Sequence, residues 1–231
     1  MIDFKSTAFI FDMDGTLVDN MHYHTDAWRV LLEENGIEFN ERKFLVETAG
    51  KTNKEILPTV FGDASDERIA ELALRKEDLY QEIYLPNRKP LAGLVNFLES
   101  SKDLGIKLAV STAASPRNLE FILDGLDLRK YFDVLTTAAD VKRGKPDPET
   151  FLISADKLGV ATYNCIVFED AFGGFQAAKN AGMKCIGLTT VNTAEEILAT
   201  DIVAESHADF TTLDAAELVT RHLNLESKAK S

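Results

Sequence analysis

The sequence has 231 residues, 45% of them hydrophobic, so it can bury the core of one large domain or of a core with a smaller insert. Its 25 Lys and Arg and 38 Asp and Glu give a formal net charge of −13, which disfavours nucleic acid and acidic membrane surfaces as partners. No apolar stretch approaches the roughly 18 residues of a membrane span, and the N-terminus lacks the layout of a secretory signal. We therefore expect a cytoplasmic protein, monomeric by default, that acts on a small molecule.

The first predicted element is a buried parallel strand. The segment "FIFDMDGTL" (9–17) opens with three apolar residues and then places Asp12 at the carboxyl end of that strand and Asp14 in the following loop. Gly15 permits a sharp turn beside them. Two neighbouring carboxylates repel each other, so they need a cation between them or a shared proton. An isolated DxDG is more often an Asx-turn followed by a helix cap. The choice between a functional site and such a turn therefore depends on the other motifs of the chain.

The next part of the chain predicts an all-helical insert. The segment "MHYHTDAWRVLLEENG" (21–36) has the spacing of an amphipathic helix that stops at its final glycine, and further helices are predicted at about 53–60 and 66–84. No convincing strand lies between them. We expect the insert to span residues 18–87, with the chain rejoining the core near "NRKPLAG" (87–93).

Beyond the insert, short apolar runs alternate with helix-length segments. These runs lie at 107–112, 134–137, 165–170 and 184–190. Such alternation predicts right-handed crossovers and a doubly wound parallel sheet with helices on both faces, an α/β core made of residues 1–17 and 88–231. Cys165 and Cys185 both lie inside apolar runs, which favours buried free thiols over a zinc site or a disulfide.

Polar residues close several of these strands, at the sheet edge where α/β proteins bind ligands. "AVSTAAS" (109–115) ends in hydroxyl groups and "CIVFEDAFGG" (165–174) brings in Glu169 and Asp170. Taken singly, Thr112 is explained as a strand-end hydroxyl, and Asp170 is explained as the N-cap of the following helix. Lys145, in "RGKPDPETF" (143–151), is by itself a solvated surface lysine, but beside acids it could hold a phosphate and offset a nucleophilic carboxylate.

These motifs, in this order, resemble the haloacid-dehalogenase superfamily of phosphotransferases. "DMDGTL", "ST", "KPDP" and "ED" match its four motifs, and the resemblance covers essentially the whole chain. The resemblance implies a Rossmann-like core with a helical cap, and a covalent mechanism. Asp12 would be the nucleophile that becomes an aspartyl-phosphate, and Asp14 would protonate the leaving oxygen and later activate water.

The resemblance also implies a cofactor and a cradle for the transferring group. The implied Mg²⁺ ligands are Asp12, the Asp14 backbone carbonyl, Asp170 and, near or in the shell, Glu169. The phosphate would be cradled by Thr112, the Ala113 backbone N–H and Lys145. Thr16, grouped with the substrate-binding residues, would support the turn around the two aspartates.

Within the superfamily the chain most resembles the subgroup with a small helical cap, which includes β-phosphoglucomutase and many sugar-phosphate phosphatases. That resemblance implies substrate-facing roles for His24 and Lys76, although a His or Lys on an amphipathic helix is usually just solvated. Gly50, followed by Lys51, fits the specificity loop of the cap. The mutase carries an arginine three residues after that glycine to grip a second phosphate, and here the residue is Asn53. Unless Lys51 or Lys54 compensates, this favours hydrolysis.

We therefore expect a Mg²⁺-dependent phosphatase that hydrolyses a small phosphorylated metabolite, with a sugar phosphate as first candidate. A phosphomutase of the β-phosphoglucomutase type is the nearest alternative, and a non-catalytic protein that binds a phosphorylated metabolite is a third. Dehalogenases of the superfamily lack the second aspartate of the first motif, so Asp14 disfavours that activity. Hinges between core and cap are expected near 17–20 and 86–91. The natural substrate does not follow from the sequence.

Overall fold

The computed structural model describes residues 3–48 and 53–223, and the chain divides into two compact units. One unit comprises Met1–Asp19 and Lys89–Ser231, and the other comprises Asn20–Arg88. Within the described ranges, no helix combines the length and the apolar composition that crossing a membrane requires.

The unit Asn20–Arg88 is built from helices: α1 (Met21–Glu34), α2 (Glu41–Thr48), α3 (Asn53–Phe61) and α4 (Asp66–Tyr84). Three of them were predicted, although α1 ends at Glu34, two residues before Gly36, which follows in a left-handed conformation with φ +71°. Helix α2 was missed because its apolar run is short. Its Phe44 packs against Trp28 of α1 at 5.4 Å between ring centroids, a tertiary contact that local periodicity does not reveal.

The larger unit contains a six-stranded parallel sheet. Its strands are β1 (Ala8–Phe11), β2 (Lys107–Ser111), β3 (Val134–Thr136), β4 (Cys165–Glu169), β5 (Lys184–Leu188) and β6 (Glu205–His207). The spatial order is β3-β2-β1-β4-β5-β6, so the winding reverses at β1, as in a doubly wound α/β fold. The predicted fold class is confirmed. Strand β6 was missed because three half-buried residues, Glu-Ser-His, carry no apolar signal.

Helices lie between successive strands along the chain, and one more follows the last strand. They are α5 (Leu94–Asp103), α6 (Pro116–Leu123), α7 (Glu149–Leu158), α8 (Phe172–Asn180), α9 (Ala194–Leu198) and α10 (Ala215–His222). Helix α5 packs on β2 and on α10, whereas α7 packs on β1, β2 and β3, and α8 packs on β4 and β5. Because side chains alternate along a strand, β1 contributes to two separate cores.

An aromatic core lies on one face of β1. The Phe11 and Phe168 rings stack at 4.6 Å between centroids, and Phe9 stacks on Phe97 of α5 at 5.6 Å. Phe210 packs against the same group. All four residues of β1 are buried, so this strand has no place for a charge before its carboxyl end.

The opposite face of β1 carries an aliphatic core. Ile10 packs there with Phe151 of α7, Phe175 of α8 and both cysteines. Cys165 and Cys185 are buried free thiols, as predicted. Burial raises the pKa of Cys165 to about 12, because the low-dielectric core penalises a thiolate. These thiols are therefore uncharged packing groups.

Candidate active site

The candidate active site lies where β1 and β4 end side by side. The Asp12 amide donates to the Phe168 carbonyl at 3.0 Å, which continues the pairing of the two strands past the last residue of β1. Glu169 ends β4 and Asp170 follows directly. The strand order reverses at this position, and ligands of doubly wound proteins bind in the crevice at such a point. The topology therefore brings the first and fourth motifs together.

Lys145 connects these two motifs. Its Nζ lies 2.5 Å from Asp12 Oδ1, 2.6 Å from Glu169 Oε1 and 3.2 Å from the Ser111 carbonyl oxygen. Its side chain is only 11% exposed. Burial disfavours the charged ammonium, but the two carboxylates outweigh burial and raise the pKa of Lys145. The loop lysine is thus a buried cation.

The carboxylates of this site outnumber its ammonium group. Oxygens of Asp12, Glu169 and Asp170 all lie within 4.8 Å of one another. Burial raises the pKa of Asp12 to about 7, against the opposing charge of Lys145, and Glu169 adds repulsion. Burial, followed by repulsion from Glu169 and Asp12, also raises the pKa of Asp170 well above its usual value. Clustered carboxylate oxygens with uncompensated negative charge fit a hard divalent cation such as Mg²⁺.

The turn that carries Asp14 packs directly on Asp170. Gly15 has φ +80°, and a Cβ added there would overlap the Asp170 carboxylate, so both the conformation and the close approach require glycine. Thr16 is fully buried, and its hydroxyl donates to Asp170 Oδ1 at 3.2 Å. The structure thus places Thr16 against a carboxylate of the site. Asp14 itself is half-buried and forms a backbone bridge with Val18.

Glu169 is held by backbone amides as well as by Lys145. Its Oε2 accepts hydrogen bonds from the amides of Asp170 and Ala171, both at 2.9 Å. A Cβ added at Gly174, in the first turn of α8, would overlap the Glu169 carboxylate. Sequence reasoning missed Gly174, although the Gly-Gly pair after "EDAF" is a signal of close approach.

The second motif lies on the strand next to β1. Thr112 follows β2, is buried, and donates its amide to the Thr136 carbonyl at 3.0 Å. Its hydroxyl oxygen accepts from the Ala114 amide at 3.0 Å, while Ala113 between them is exposed. The Ser111 carbonyl that accepts from Lys145 immediately precedes Thr112. The structure thus places three of the four motifs around Lys145.

The residues predicted in the helical unit form a polar cluster of their own. Lys76 Nζ lies 2.7 Å from His24 Nδ1 and 3.2 Å from Glu77 Oε1, and the lysine is only 3% exposed. The His24 ring stacks on Tyr80 at 3.8 Å between centroids. Asn53 Nδ2 donates to the same Glu77 oxygen at 2.5 Å. Lys76 is therefore a buried residue rather than a solvated one.

Two predicted residues, Gly50 and Lys51, lie outside the described residues. Two residues that the sequence did not single out contact the site through backbone atoms. The Thr190 hydroxyl donates to the Gly15 carbonyl at 2.5 Å, and Asn192 Nδ2 donates to the Asp170 carbonyl at 2.8 Å. The available signal was a run of polar residues after β5, "TTVNT" (189–193), at the same sheet edge.

Sequence comparison identifies the class of protein that this fold and site define. Residues 7–182 match the model of the haloacid dehalogenase-like hydrolase family, so the chain belongs to that family.

Named relatives narrow the class of reaction. Fructose-1-phosphate phosphatase YqaB of Escherichia coli is 34% identical over 182 residues, covering 79% of this chain and 96% of the relative. Beta-phosphoglucomutase of Bacillus subtilis is 32% identical over 212 residues, covering 88% and 91%. The crystal structure of beta-phosphoglucomutase from Clostridium difficile superposes with a TM-score of 0.80 at 30% identity, covering 96% and 97%. The chain is accordingly a phosphoric monoester hydrolase or phosphomutase.

Proposed function

We propose that this protein is a Mg²⁺-dependent phosphatase that hydrolyses a small phosphorylated metabolite through an aspartyl-phosphate intermediate. The observation that carries the proposal is the buried Lys145 between Asp12 and Glu169, in a site with more carboxylates than ammonium groups. A sugar phosphate is the first candidate substrate, since the names of both the phosphatase and the mutase relatives refer to sugar phosphates. The net charge of −13 supports a small substrate rather than a nucleic acid. The proposal also includes a cytoplasmic location and a monomeric state.

The proposed Mg²⁺ ligands are an Asp12 carboxylate oxygen, the Asp14 backbone carbonyl and Asp170, with Glu169 near or in the shell. When bound, the cation supplies positive charge that offsets the phosphate oxygens and favours the ionised form of the carboxylates. That ionisation matters for Asp12, because burial raises the pKa of this carboxyl group to about 7 and only the carboxylate is a nucleophile. Lys145, whose Nζ lies 2.5 Å from Asp12 Oδ1, acts in the same direction.

In the first step, an Asp12 carboxylate oxygen attacks phosphorus and the bond from phosphorus to the ester oxygen breaks. Asp14 donates a proton to the departing oxygen, so the metabolite leaves as an alcohol. Thr112, the Ala113 amide and Lys145 surround the transferring group and stabilise its charge. The product on the enzyme is an acyl phosphate on Asp12.

In the second step, Asp14 removes a proton from water, and the water oxygen attacks phosphorus. The bond between phosphorus and Asp12 then breaks, which regenerates the Asp12 carboxylate and releases phosphate. Asp12 is a charged carboxylate before the first step and again after the second, whereas Asp14 alternates between its acid and its base form.

The helical unit is proposed to act as a cap that sets specificity, with residues 18–87 as the insert. Residues 47–54, Lys76 and His24 are its proposed substrate-facing positions, with hinges near 17–20 and 86–91. Asn53 supports hydrolysis over mutase activity, because its amide is neutral and already donates to Glu77. A neutral amide cannot replace an arginine that grips a second phosphate.

Substitution of the nucleophile tests the proposal. We expect Asp12→Asn to lower Mg²⁺-dependent release of phosphate from p-nitrophenyl phosphate by about 10³-fold or more, since an amide cannot form the acyl phosphate. Asp156→Asn, an exposed position on α7, is the matched control and should leave the rate unchanged. Retained activity in Asp12→Asn would remove Asp12 from the mechanism.

Product analysis separates the phosphatase from the mutase. With β-glucose 1-phosphate as substrate, a phosphatase releases free phosphate as its main product. Formation of glucose 6-phosphate, stimulated by catalytic amounts of a bisphosphate, would instead identify a mutase. A broad panel of phosphorylated sugars compared by kcat/KM would then identify the preferred substrate.

A further inference from the structure

The loop between β5 and α9, residues 189–193, contacts both acidic segments of the site. Thr190 donates its hydroxyl to the Gly15 carbonyl at 2.5 Å, and Asn192 donates its side-chain amide to the Asp170 carbonyl at 2.8 Å. Both side chains are half-buried. Each therefore bonds a backbone atom within one residue of a proposed cation ligand.

The contact of Thr190 completes the restraint of the Asp14 turn. The Asp14 carbonyl belongs to the same peptide group as the Gly15 amide, and that amide donates to the Val18 carbonyl at 2.8 Å. The next peptide group carries the Gly15 carbonyl that Thr190 holds. Because a peptide group is planar, fixing two consecutive groups fixes the direction in which the Asp14 carbonyl points.

The contact of Asn192 does the same for the segment after β4. The Asp170 carbonyl shares a peptide group with the Ala171 amide, which donates to Glu169 Oε2 at 2.9 Å. Asn192 holds the carbonyl end of that group and Glu169 holds its amide end. The backbone from which the Asp170 carboxylate extends is thereby held from two sides.

The loop itself is anchored at both ends. The Thr189 amide donates to the His207 carbonyl of β6 at 2.9 Å. At the other end, the Thr193 side chain begins α9 in a capping box with Glu196. Thr190 and Asn192 are therefore presented on a short, fixed segment rather than on a freely moving one.

We propose that Thr190 and Asn192 are positioning residues, which hold the Asp14 turn and the Asp170 segment in the arrangement that binds the divalent cation. The inference rests on the proposed function, in which Asp14 and Asp170 supply cation ligands. It adds a third segment, from outside the four recognised motifs, to the construction of the site. Neither side chain touches the reacting atoms in this role.

Four variants test the inference. Thr190→Val and Asn192→Leu remove the donors at nearly constant volume, whereas Thr190→Ser keeps the hydroxyl. Thr220→Val is the matched control, because it removes a threonine hydroxyl that donates to the Ala216 carbonyl of its own helix, α10, and leaves both donors in place. Amide exchange of the metal-free proteins reports the order of residues 13–18 and 169–175, and titration calorimetry with Mg²⁺ reports affinity without turnover.

We expect Thr190→Val to speed exchange in residues 13–18 and Asn192→Leu to speed exchange in residues 169–175. Each should also weaken Mg²⁺ binding about fivefold, the effect of losing one hydrogen bond. Thr190→Ser should restore both properties, and Thr220→Val should leave both at the wild-type level.

Unchanged exchange at these segments in both donor-deleted variants would overturn the inference, as would an equal loss of Mg²⁺ affinity in Thr220→Val. A wild-type protein that does not bind Mg²⁺ would overturn the proposed function and the cation-binding role with it. If the wild type does not bind Mg²⁺ and the donor-deleted variants still exchange faster, Thr190 and Asn192 hold the two segments although no cation binds there. In that case the proposed function fails and the structural role of the two side chains does not.

Discussion

Each compact unit of this protein buries a lysine, and the two lysines have different surroundings. Lys145 lies between the carboxylates of Asp12 and Glu169, with a third carboxylate nearby at the edge of the sheet. The contacts of Lys76 include one carboxylate, that of Glu77, and the neighbouring aromatic ring of Tyr80 at 5.6 Å. A single ammonium leaves the first cluster negative, whereas Lys76 pairs with the carboxylate of Glu77.

This difference separates an acidic cluster that could hold a metal ion from a buried ion pair. Charges removed from water must be compensated, and the cost of leaving one unpaired is several kcal/mol. In the sheet unit that compensation is incomplete, which is why burial and mutual repulsion raise the pKa values of Asp12 and Asp170. In the helical unit, Glu77 keeps 15% of its side chain exposed, so water shares in its solvation.

The largest expected effect is that of Lys145→Met. Removing the ammonium leaves Asp12 and Glu169 buried without their shared partner, and we expect the free energy of unfolding to fall by about 3–5 kcal/mol in the metal-free protein. Saturating Mg²⁺ should restore part of this loss, because another cation takes over some of the compensation. Urea denaturation with and without Mg²⁺ measures both quantities. Lys142→Met, at an exposed position nearby, should change neither.

A smaller effect is expected for Lys76→Met. Glu77 loses an ion pair but retains the hydrogen bond from Asn53 and some contact with water, so we expect a loss of about 1–2 kcal/mol. The loss should be the same with and without Mg²⁺. Glu77→Gln is the companion variant, which removes the charge and keeps the shape. A Mg²⁺-dependent loss in Lys76→Met would contradict the distinction between the two clusters.

The sheet site could be predicted from the sequence because its residues obey a positional rule. Asp12, Thr112 and Glu169 each lie at or beside the end of an apolar strand, and parallel strands deliver their carboxyl ends to one edge. Their convergence therefore follows from strand recognition alone. Thr190 and Asn192 follow no such rule. Thr190 contacts the Gly15 backbone across 175 positions of sequence, and a polar residue in a loop carries no mark of its distant acceptor.

The fold was predictable to the extent that elements have strong local patterns. The strands with apolar runs and the three longer helices of the insert were recovered, whereas α2 and β6 were not. Strand β6 depends on its pairing with β5, and α2 packs its Phe44 against Trp28. The burial of Lys76 was missed for the same reason, dependence on tertiary contacts. Whether a lysine on a helix is buried depends on how the neighbouring helix packs against it.

A third prediction uses Asp12→Asn in the metal-free protein. Burial raises the pKa of Asp12 to about 7, so the folded state binds its proton more tightly than the unfolded state does. Stability from this group is therefore present at low pH and lost as pH rises from about 4 to about 7. Asparagine stays neutral, so the variant should exceed the wild type by about 1–2 kcal/mol at pH 8, less than the full shift implies because Lys145 loses a partner.

The advantage of Asp12→Asn should shrink at pH 5, where the folded wild type is largely protonated at this position. Thermal denaturation of both proteins at the two pH values, in the presence of a chelator, measures the difference. An equal gain at both pH values would mean that desolvation of the charged carboxylate is not what raises the pKa of Asp12.

The smallest effect concerns Asp140, an exposed carboxylate with the opposite behaviour. Its Oδ2 accepts from the Thr137 amide at 2.8 Å and from the Thr137 hydroxyl at 2.9 Å, and these hydrogen bonds lower its pKa. The stability it contributes is thus present above about pH 4 and lost as pH falls through the lowered pKa. Since the side chain is 36% exposed, Asp140→Asn should cost only about 0.5 kcal/mol at pH 7 and nothing near pH 2. Denaturation midpoints at these pH values test the sign. A cost for Asp140→Asn that grew as pH fell would show that its pKa is raised, and that burial outweighs hydrogen bonding at this carboxylate. Opposite slopes for Asp12 and Asp140 would show that the fold raises the pKa of one carboxyl group and lowers that of the other.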